Sequence, residues 1–284
     1  MIPVSFDYAA PKTLREALGL MAAGAKPLAG GMSLIPMMKL RLAAPESLVD
    51  IGRLEELSYV REQGGAIHVG ASTTHYDVQS SPLLLGKCPL LSETAGHIGD
   101  IQVRNMGTIG GSVAHADPAA DYPAALQALE ASIVLKSSSS ERTVSAADFF
   151  VDAFTTALEP GEIVSEIIVP VDGESIGTSY RKCVHPASGF AVVGIAARLR
   201  RVGGKIDFAR IGVTGFAGHS YRALKAEQAL VGKAGADADV RAAAALLADG
   251  VEANSDLFAS PAYRAQLLAA YAARAFAAAI KRSA

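Results

Sequence analysis

Apolar positions 14, 17, 18 and 21 (Leu14, Ala17, Leu18, Met21) recur at helical spacing behind Pro11-Lys12-Thr13, and Gly24 closes that helix. A strand over 27–29 follows and stops at Gly30-Gly31, after which Ser33 is placed to N-cap a short helix through Met37, Met38 and Leu40, with Pro36 tolerated in its first turn. A helix N-terminus is thereby expected to point at the glycine turn. Residues 47–51 read as a strand, and 57–71 as a hairpin around Gly64-Gly65, with Ile67 and Val69 alternating against His68. Residues 89–96 read as a helix, 107–114 as a strand and turn, and 122–129 as the start of a buried helix. A second hairpin pairs 133–135 with 142–144 across a polar loop, 137–140, and 163–170 reads as an apolar strand.

Residues 171–177 form a charged, glycine-containing connector, taken as the main boundary. Beyond it, 180–182, 191–199 and 206–214 read as three strands, and 221–230, 240–249 and 262–281 as alanine-rich helices. No internal repeat is visible, and this part reads as an α+β unit of about a hundred residues. The expected division is 1–175, with subdomains about 1–55 and 56–175, followed by 176–284.

Composition narrows the partners. With 284 residues and 50% hydrophobic content the chain can bury two or three packed units. A formal charge of −2, without a basic run or interleaved lysines and aromatics, argues against nucleic acid. Cys88 and Cys183 stand far apart and outside any CxxC, so disulfide scaffolds, zinc ribbons and cysteine-ligated clusters are unsupported, and no metal ligands are nominated. The first residues lack a basic stretch and an apolar stretch, and nothing approaches a membrane span, so a soluble, cytoplasmic protein is expected.

Two glycine-rich segments carry the chemistry: Leu28-Ala29-Gly30-Gly31-Met32-Ser33-Leu34, and Thr108-Ile109-Gly110-Gly111-Ser112 with Asp117 and Asp121 soon after. In each, an apolar stretch ends at a Gly-Gly pair whose missing Cβ atoms let backbone N–H groups approach an anion, followed by a hydroxyl residue. Converging donors, the hydroxyls of Ser33, Thr108 and Ser112, and a helix dipole suit a diphosphate. There is no GxGxxG after a strand, no GxxxxGK[ST] and no GxSxG. Asp121 would be repelled by a diphosphate and is better used as acceptor for a sugar or ribityl hydroxyl; its other reading is an N-cap of the helix beginning near Tyr122. Asp117 before Pro118 reads most simply as a turn initiator, and His115 as a partner within that turn.

These segments, with Arg104-Asn105 before the second and Asp117-Pro118-Ala119-Ala120-Asp121-Tyr122-Pro123 after it, resemble the FAD-binding medium subunits of the molybdenum hydroxylases, such as aerobic carbon monoxide dehydrogenase, and the flavin domain of xanthine dehydrogenase. The resemblance covers essentially the whole chain. It implies an α+β flavoprotein fold of the PCMH, vanillyl-alcohol-oxidase-like type, with two N-terminal subdomains enclosing noncovalent FAD and a smaller α+β C-terminal domain. It also implies that both glycine segments bind the diphosphate, that Asp121 contacts the cofactor, that Lys182 or its neighbour Arg181 faces the isoalloxazine, and that Ile98 and Val164 line the ring, although either could be ordinary core. Met32 stands where relatives often carry His, and Phe190 where many carry Tyr, keeping a stacking face without the phenol.

The function implied is electron transfer. FAD would accept electrons from [2Fe–2S] clusters on a small subunit and pass them to an external acceptor, with hydroxylation on a large subunit carrying the molybdenum cofactor, the whole a dimer of heterotrimers. No catalytic residue of the hydroxylation is nominated in this chain. The competing readings are a self-sufficient vanillyl-alcohol-oxidase-type flavoenzyme, which would need a catalytic base or a covalent flavin attachment, and a non-enzymatic nucleotide-binding module.

Overall fold

The computed structural model describes residues 2–173 and 175–283. Among the described residues the chain combines helices with three larger sheets and one two-stranded hairpin, an α+β architecture. In the first part, β1 (Asp7–Ala9), β2 (Lys26–Leu28) and β3 (Ser47–Asp50) form a parallel sheet in the order β1-β3-β2, joined by α1 (Leu14–Ala22) and α2 (Leu34–Lys39). Helix α1 forms as its pattern predicts: the Thr13 hydroxyl accepts from Glu16 N–H, and Leu14, Ala17, Leu18 and Met21 are its buried face.

The second part is built on an antiparallel sheet in the order β4-β5-β10-β6-β7, from β4 (Val60–Gln63), β5 (Ala66–Gly70), β6 (Ser132–Lys136), β7 (Glu141–Ser145) and β10 (Ile163–Pro170). A helical layer covers it: α3 (His75–Ser80), α4 (Pro82–Lys87), α5 (Pro89–Gly96), α6 (Ile101–Met106), α7 (Ile109–His115), α8 (Tyr122–Leu129) and α9 (Ala146–Phe149); β8 (Phe150–Asp152) and β9 (Thr155–Thr156) make a small hairpin beside it. Every residue of α8 is buried, so this helix is the centre of the largest core.

Segment 107–114 corrects the strand-and-turn expectation: it contains helix α7. Thr108, Ile109, Val113 and two glycines are poor helix formers, but Thr108 caps the helix through its hydroxyl, which accepts from Gly111 N–H, and burial of Ile109, Gly110 and Val113 decides the rest. Helices α3, α4 and α6 also escape the sequence pattern, being six residues each and, in α6, without a single buried side chain.

The third part is an antiparallel sheet β11-β12-β13-β14, from β11 (Ile176–Val184), β12 (Ala191–Val202), β13 (Lys205–Thr214) and β14 (Tyr221–Arg222), packed under α10 (Leu224–Leu230), α11 (Asp237–Ala244) and α12 (Pro261–Arg282). Residues 221 and 222, expected to be helical, pair with β13 instead, and the connector at 171–177 is shortened because β11 already begins at Ile176; Glu174, within it, lies outside the described residues. Among the described residues no helix is long and apolar enough to cross a membrane.

Candidate flavin site

Strand β2 delivers the chain to Gly30 against the end of α6. A Cβ on Gly30 would collide with the Met106 carbonyl, so only glycine permits this backbone approach, and Gly31 takes φ +71°, the left-handed region that favours glycine. The main-chain N–H groups of Gly30, Gly31, Met32, Ser33 and Leu34 have no acceptor among the described residues. Consecutive N–H groups turned by a left-handed glycine form a concave anion cradle. Ser33 does not cap α2 as expected: it sits in helical backbone (φ −103°, ψ −50°) and its hydroxyl makes no cap bond, which leaves that hydroxyl to the cradle.

The second glycine pair works differently from the expectation. Ile109 N–H donates to Thr73 O (3.0 Å), Gly110 N–H to Ala71 O (2.8 Å), Gly111 N–H to Thr108 Oγ1 (3.1 Å) and Ser112 N–H to Thr108 O (3.0 Å). These donors are engaged, and the Thr108 hydroxyl is engaged with them, so this pair cannot supply free N–H groups to a diphosphate. Gly110 is required for packing, since its Cβ would strike Ala71, whereas Gly111 is exposed and a Cβ there would meet only the Thr108 hydroxyl at 2.8 Å. The two segments are nevertheless neighbours through the contact between Gly30 and Met106.

Asp121 heads α8 but does not cap it; its side chain turns into the boundary between the second and third parts. There Tyr180 Oη donates to Oδ1 at 2.6 Å and Lys182 Nζ to Oδ2 at 3.0 Å, with the Lys182 side chain 1% and the Asp121 side chain 4% exposed. Burial raises the Asp121 carboxyl to about 6, with the Lys182 ammonium and the Tyr180 hydroxyl pulling the other way. Lys182 Nζ also donates to Gly189 O at 2.8 Å, holding the turn that carries Phe190, whose ring is exposed. Arg181, on the opposite face of β11, is bound to Glu93 at 2.9 Å, so of the two candidate cations Lys182 is the one beside Asp121.

The loop preceding Asp121 rests on the third part: Thr214 Oγ1 donates to Pro118 O and Ala120 O, Gly215 N–H to Pro118 O, and Ala191 N–H to Ala119 O. Asp117 accepts from Ala119 N–H at 2.8 Å, the turn-initiating role read from its place before Pro118. His115 packs against Phe154 with the rings tilted by 53° and their centroids 5.1 Å apart.

Ile98 is half-buried and packs against the main core, while its neighbour Gly99 lies 3.5 Å from where a Cβ on Gly189 would stand, beside the turn that carries Phe190. Val164 is buried in the main hydrophobic core, and of its two readings ordinary core is the one its packing fits. Two site residues escaped the sequence reading. Tyr180 shares its strand face with Lys182, which the period-2 alternation of β11 would have signalled. His97 packs edge-on against Tyr180 at 5.5 Å, and burial and the Lys182 charge lower its imidazole; no local pattern marks it.

The donor set fits FAD. Unengaged N–H groups suit its diphosphate, and a buried carboxylate and ammonium suit its polar groups. Residues 4–172 match the family described as the FAD binding domain in molybdopterin dehydrogenase, and 178–279 the CO dehydrogenase flavoprotein C-terminal domain. The chain is 39% identical over 279 residues to the glyceraldehyde dehydrogenase medium chain of Sulfolobus acidocaldarius, covering 97% of this chain and 99% of that one. It is 43% identical over 247 residues to the carbon monoxide dehydrogenase medium chain of Hydrogenophaga pseudoflava, covering 86% of each. It superposes on a solved structure of carbon monoxide dehydrogenase from Hydrogenophaga pseudoflava with a TM-score of 0.96 at 42% identity, covering 100% of both chains. The chain therefore belongs to the FAD-binding medium subunits of the molybdenum hydroxylases, oxidoreductases that work as multisubunit complexes.

Proposed function

We propose that this subunit receives electrons from iron–sulfur clusters on a small partner subunit and passes them through FAD to an external acceptor, while a large molybdopterin subunit hydroxylates the substrate. The observation that carries the reading is the run of unengaged N–H groups at Gly30, Gly31, Met32, Ser33 and Leu34. Bound FAD supplies a carrier that exchanges one or two electrons. The chain's own residues hold it. The first glycine loop, with Leu28 and Ala29 leading into it, takes the diphosphate, helped by the Ser33 hydroxyl. Residues 108–112 contribute the exposed surface of Gly111 and the Ser112 hydroxyl, with Thr108, Ile109 and Gly110 building the support behind them.

Asp121 retains lone pairs on both oxygens after binding Tyr180 and Lys182, enough to accept a ribityl or ribose hydroxyl. Lys182 uses two of an ammonium's three N–H bonds on Asp121 and Gly189, leaving one donor for negative charge on the reduced ring. Ile98 and Phe190 flank that position. We assign residues 1–175, with subdomains about 1–55 and 56–175, to FAD, and 176–284 to a C-terminal unit that supplies Lys182, within a cytoplasmic dimer of heterotrimers.

The test is anaerobic flavin bleaching with the substrate of the intact complex. Bleaching is expected only after cluster-bearing and molybdenum-bearing subunits are added. Rapid bleaching of the isolated chain would instead establish the self-sufficient vanillyl-alcohol-oxidase-type enzyme, and a chain that cannot be loaded with FAD would remove both.

A further inference from the structure

Strand β11 is an edge strand, hydrogen-bonded to β12 on one side only. Its outward main-chain groups need partners from elsewhere. Glu93, on α5 of the FAD-binding part, supplies them: its Oε2 accepts from Tyr180 N–H at 3.3 Å and from Arg282 Nη1 at 2.8 Å, and its Oε1 from Arg181 Nη1 at 2.9 Å. Arg282, in the last turn of α12, donates in turn to Thr178 O at 2.7 Å. One carboxylate thus ties α5, the outer edge of β11 and the end of the C-terminal helix together.

The strand so held carries Tyr180 and Lys182 to Asp121. Tyr180 is gripped at both ends, its N–H by Glu93 and its hydroxyl by Asp121, and one turn along α5 from Glu93 the His97 ring packs on it. Pairing with β12 fixes the register of β11 within its own sheet, and the packing of α8 on β12 and β13, with the Thr214, Gly215 and Ala191 bonds, sets that sheet against α8. Glu93 adds the tie between the free edge of β11 and α5.

We propose that Glu93 is a positioning residue for the flavin site, acting through β11 to hold Tyr180 and Lys182 on Asp121. The inference rests on the assignment of Asp121 and Lys182 to FAD. Glu93 itself touches neither, and charge-assisted bonds of this kind place their partners more firmly than neutral ones. Loss of the carboxylate frees the edge of β11 from α5, and with it the two side chains that bind Asp121.

The experiment reconstitutes the full-length, FAD-stripped chain with FAD and reads the dissociation constant from flavin fluorescence, alongside the melting temperature without FAD. Glu93→Gln, which keeps an acceptor for Tyr180 N–H but loses the charge, is expected to weaken FAD binding about tenfold. In a cycle with Tyr180→Phe the two effects on FAD affinity should be non-additive, because Glu93 acts through β11 on the same Tyr180–Asp121 contact that Tyr180→Phe removes. A structural role alone would lower the melting temperature of the FAD-free chain and leave the dissociation constant within about twofold of wild type, overturning the proposal. Additive effects would overturn it equally. Should Glu93→Gln fail to fold, Arg181→Gln removes the half-exposed end of the same tie and is expected to weaken FAD in the same sense, an unchanged constant again counting against the proposal. Failure of the wild-type chain to bind FAD would refute the functional assignment rather than this inference.

Discussion

Lys182 Nζ lies 3.0 Å from Asp121 Oδ2 with both side chains almost entirely out of solvent, and it joins the C-terminal sheet to the head of the central helix α8. Removing one partner of such a pair strands a buried charge. Lys182→Met should therefore cost about 3–5 kcal/mol in chemical denaturation, and the double variant Asp121→Asn with Lys182→Met should recover most of it. Equal losses in the single and double variants would show that the pair does not act as a unit.

Gly30 and Gly111 should separate in their response to alanine. At Gly30 the added Cβ meets the Met106 carbonyl, a backbone atom that cannot swing aside, so Gly30→Ala is expected to displace the cradle and abolish FAD binding. At Gly111 the added Cβ meets, among the described residues outside its own helix backbone, the Thr108 hydroxyl, which can rotate away at the cost of a cap of about 1 kcal/mol, offset by alanine's higher helix propensity. Gly111→Ala should keep its FAD. Flavin absorbance per protein after purification decides both, and a yellow Gly30→Ala protein would dissociate the cradle from the cofactor.

The contrast between these glycines shows how far the sequence could be read. Helix α5 and strand β10 have the bounds that their pattern predicts, because Pro89 and Gly96 punctuate the one and an apolar stretch interrupted only at Ser165-Glu166 and ending at Pro170 marks the other. At the first glycine loop the unengaged N–H groups that Gly30-Gly31 predicts are present among the described residues. The second loop was not legible in this way: whether Gly110 N–H is free depends on Ala71, a contact across the fold that no local spacing encodes. The same holds for Asp121, whose capping position is plain in the sequence while its partners Tyr180 and Lys182 arrive from another sheet.

His75 and Asp121 should give opposite pH dependences. Burial lowers the His75 imidazole from 6.5 to about 4, so between these values the unfolded chain binds the extra proton and stability falls as pH drops below 6.5. At pH 5 the loss is about 2 kcal/mol. Asp121 is raised from 3.8 to about 6, so the folded chain binds the extra proton, and acidification through pH 6 favours the native state. Denaturation midpoints of His75→Asn and Asp121→Asn, each compared with wild type between pH 4.5 and pH 7, should differ from it with opposite slopes. Slopes of the same sign would show that one of the two burial effects is misassigned.

Thr214 is the hinge pin of the loop that presents Asp121. Its hydroxyl, 1% exposed with the rest of the residue, donates to Ala120 O at 2.7 Å and Pro118 O at 2.9 Å, while Gly215 N–H also holds Pro118 O. Thr214→Val keeps the shape and deletes the donor, leaving Ala120 O buried without its partner, a loss of about 1–3 kcal/mol. Because Ala120 adjoins Asp121, the carboxylate should also lose its placement against Tyr180 and Lys182, so FAD affinity should fall together with stability. Thr214→Ser restores the hydroxyl while omitting the methyl, and should recover FAD binding more fully than it recovers the melting temperature. If valine lowers stability yet leaves FAD affinity intact, the loop is held at Asp121 by the ion pair alone, and Thr214 is an ordinary clasp between the two parts of the fold.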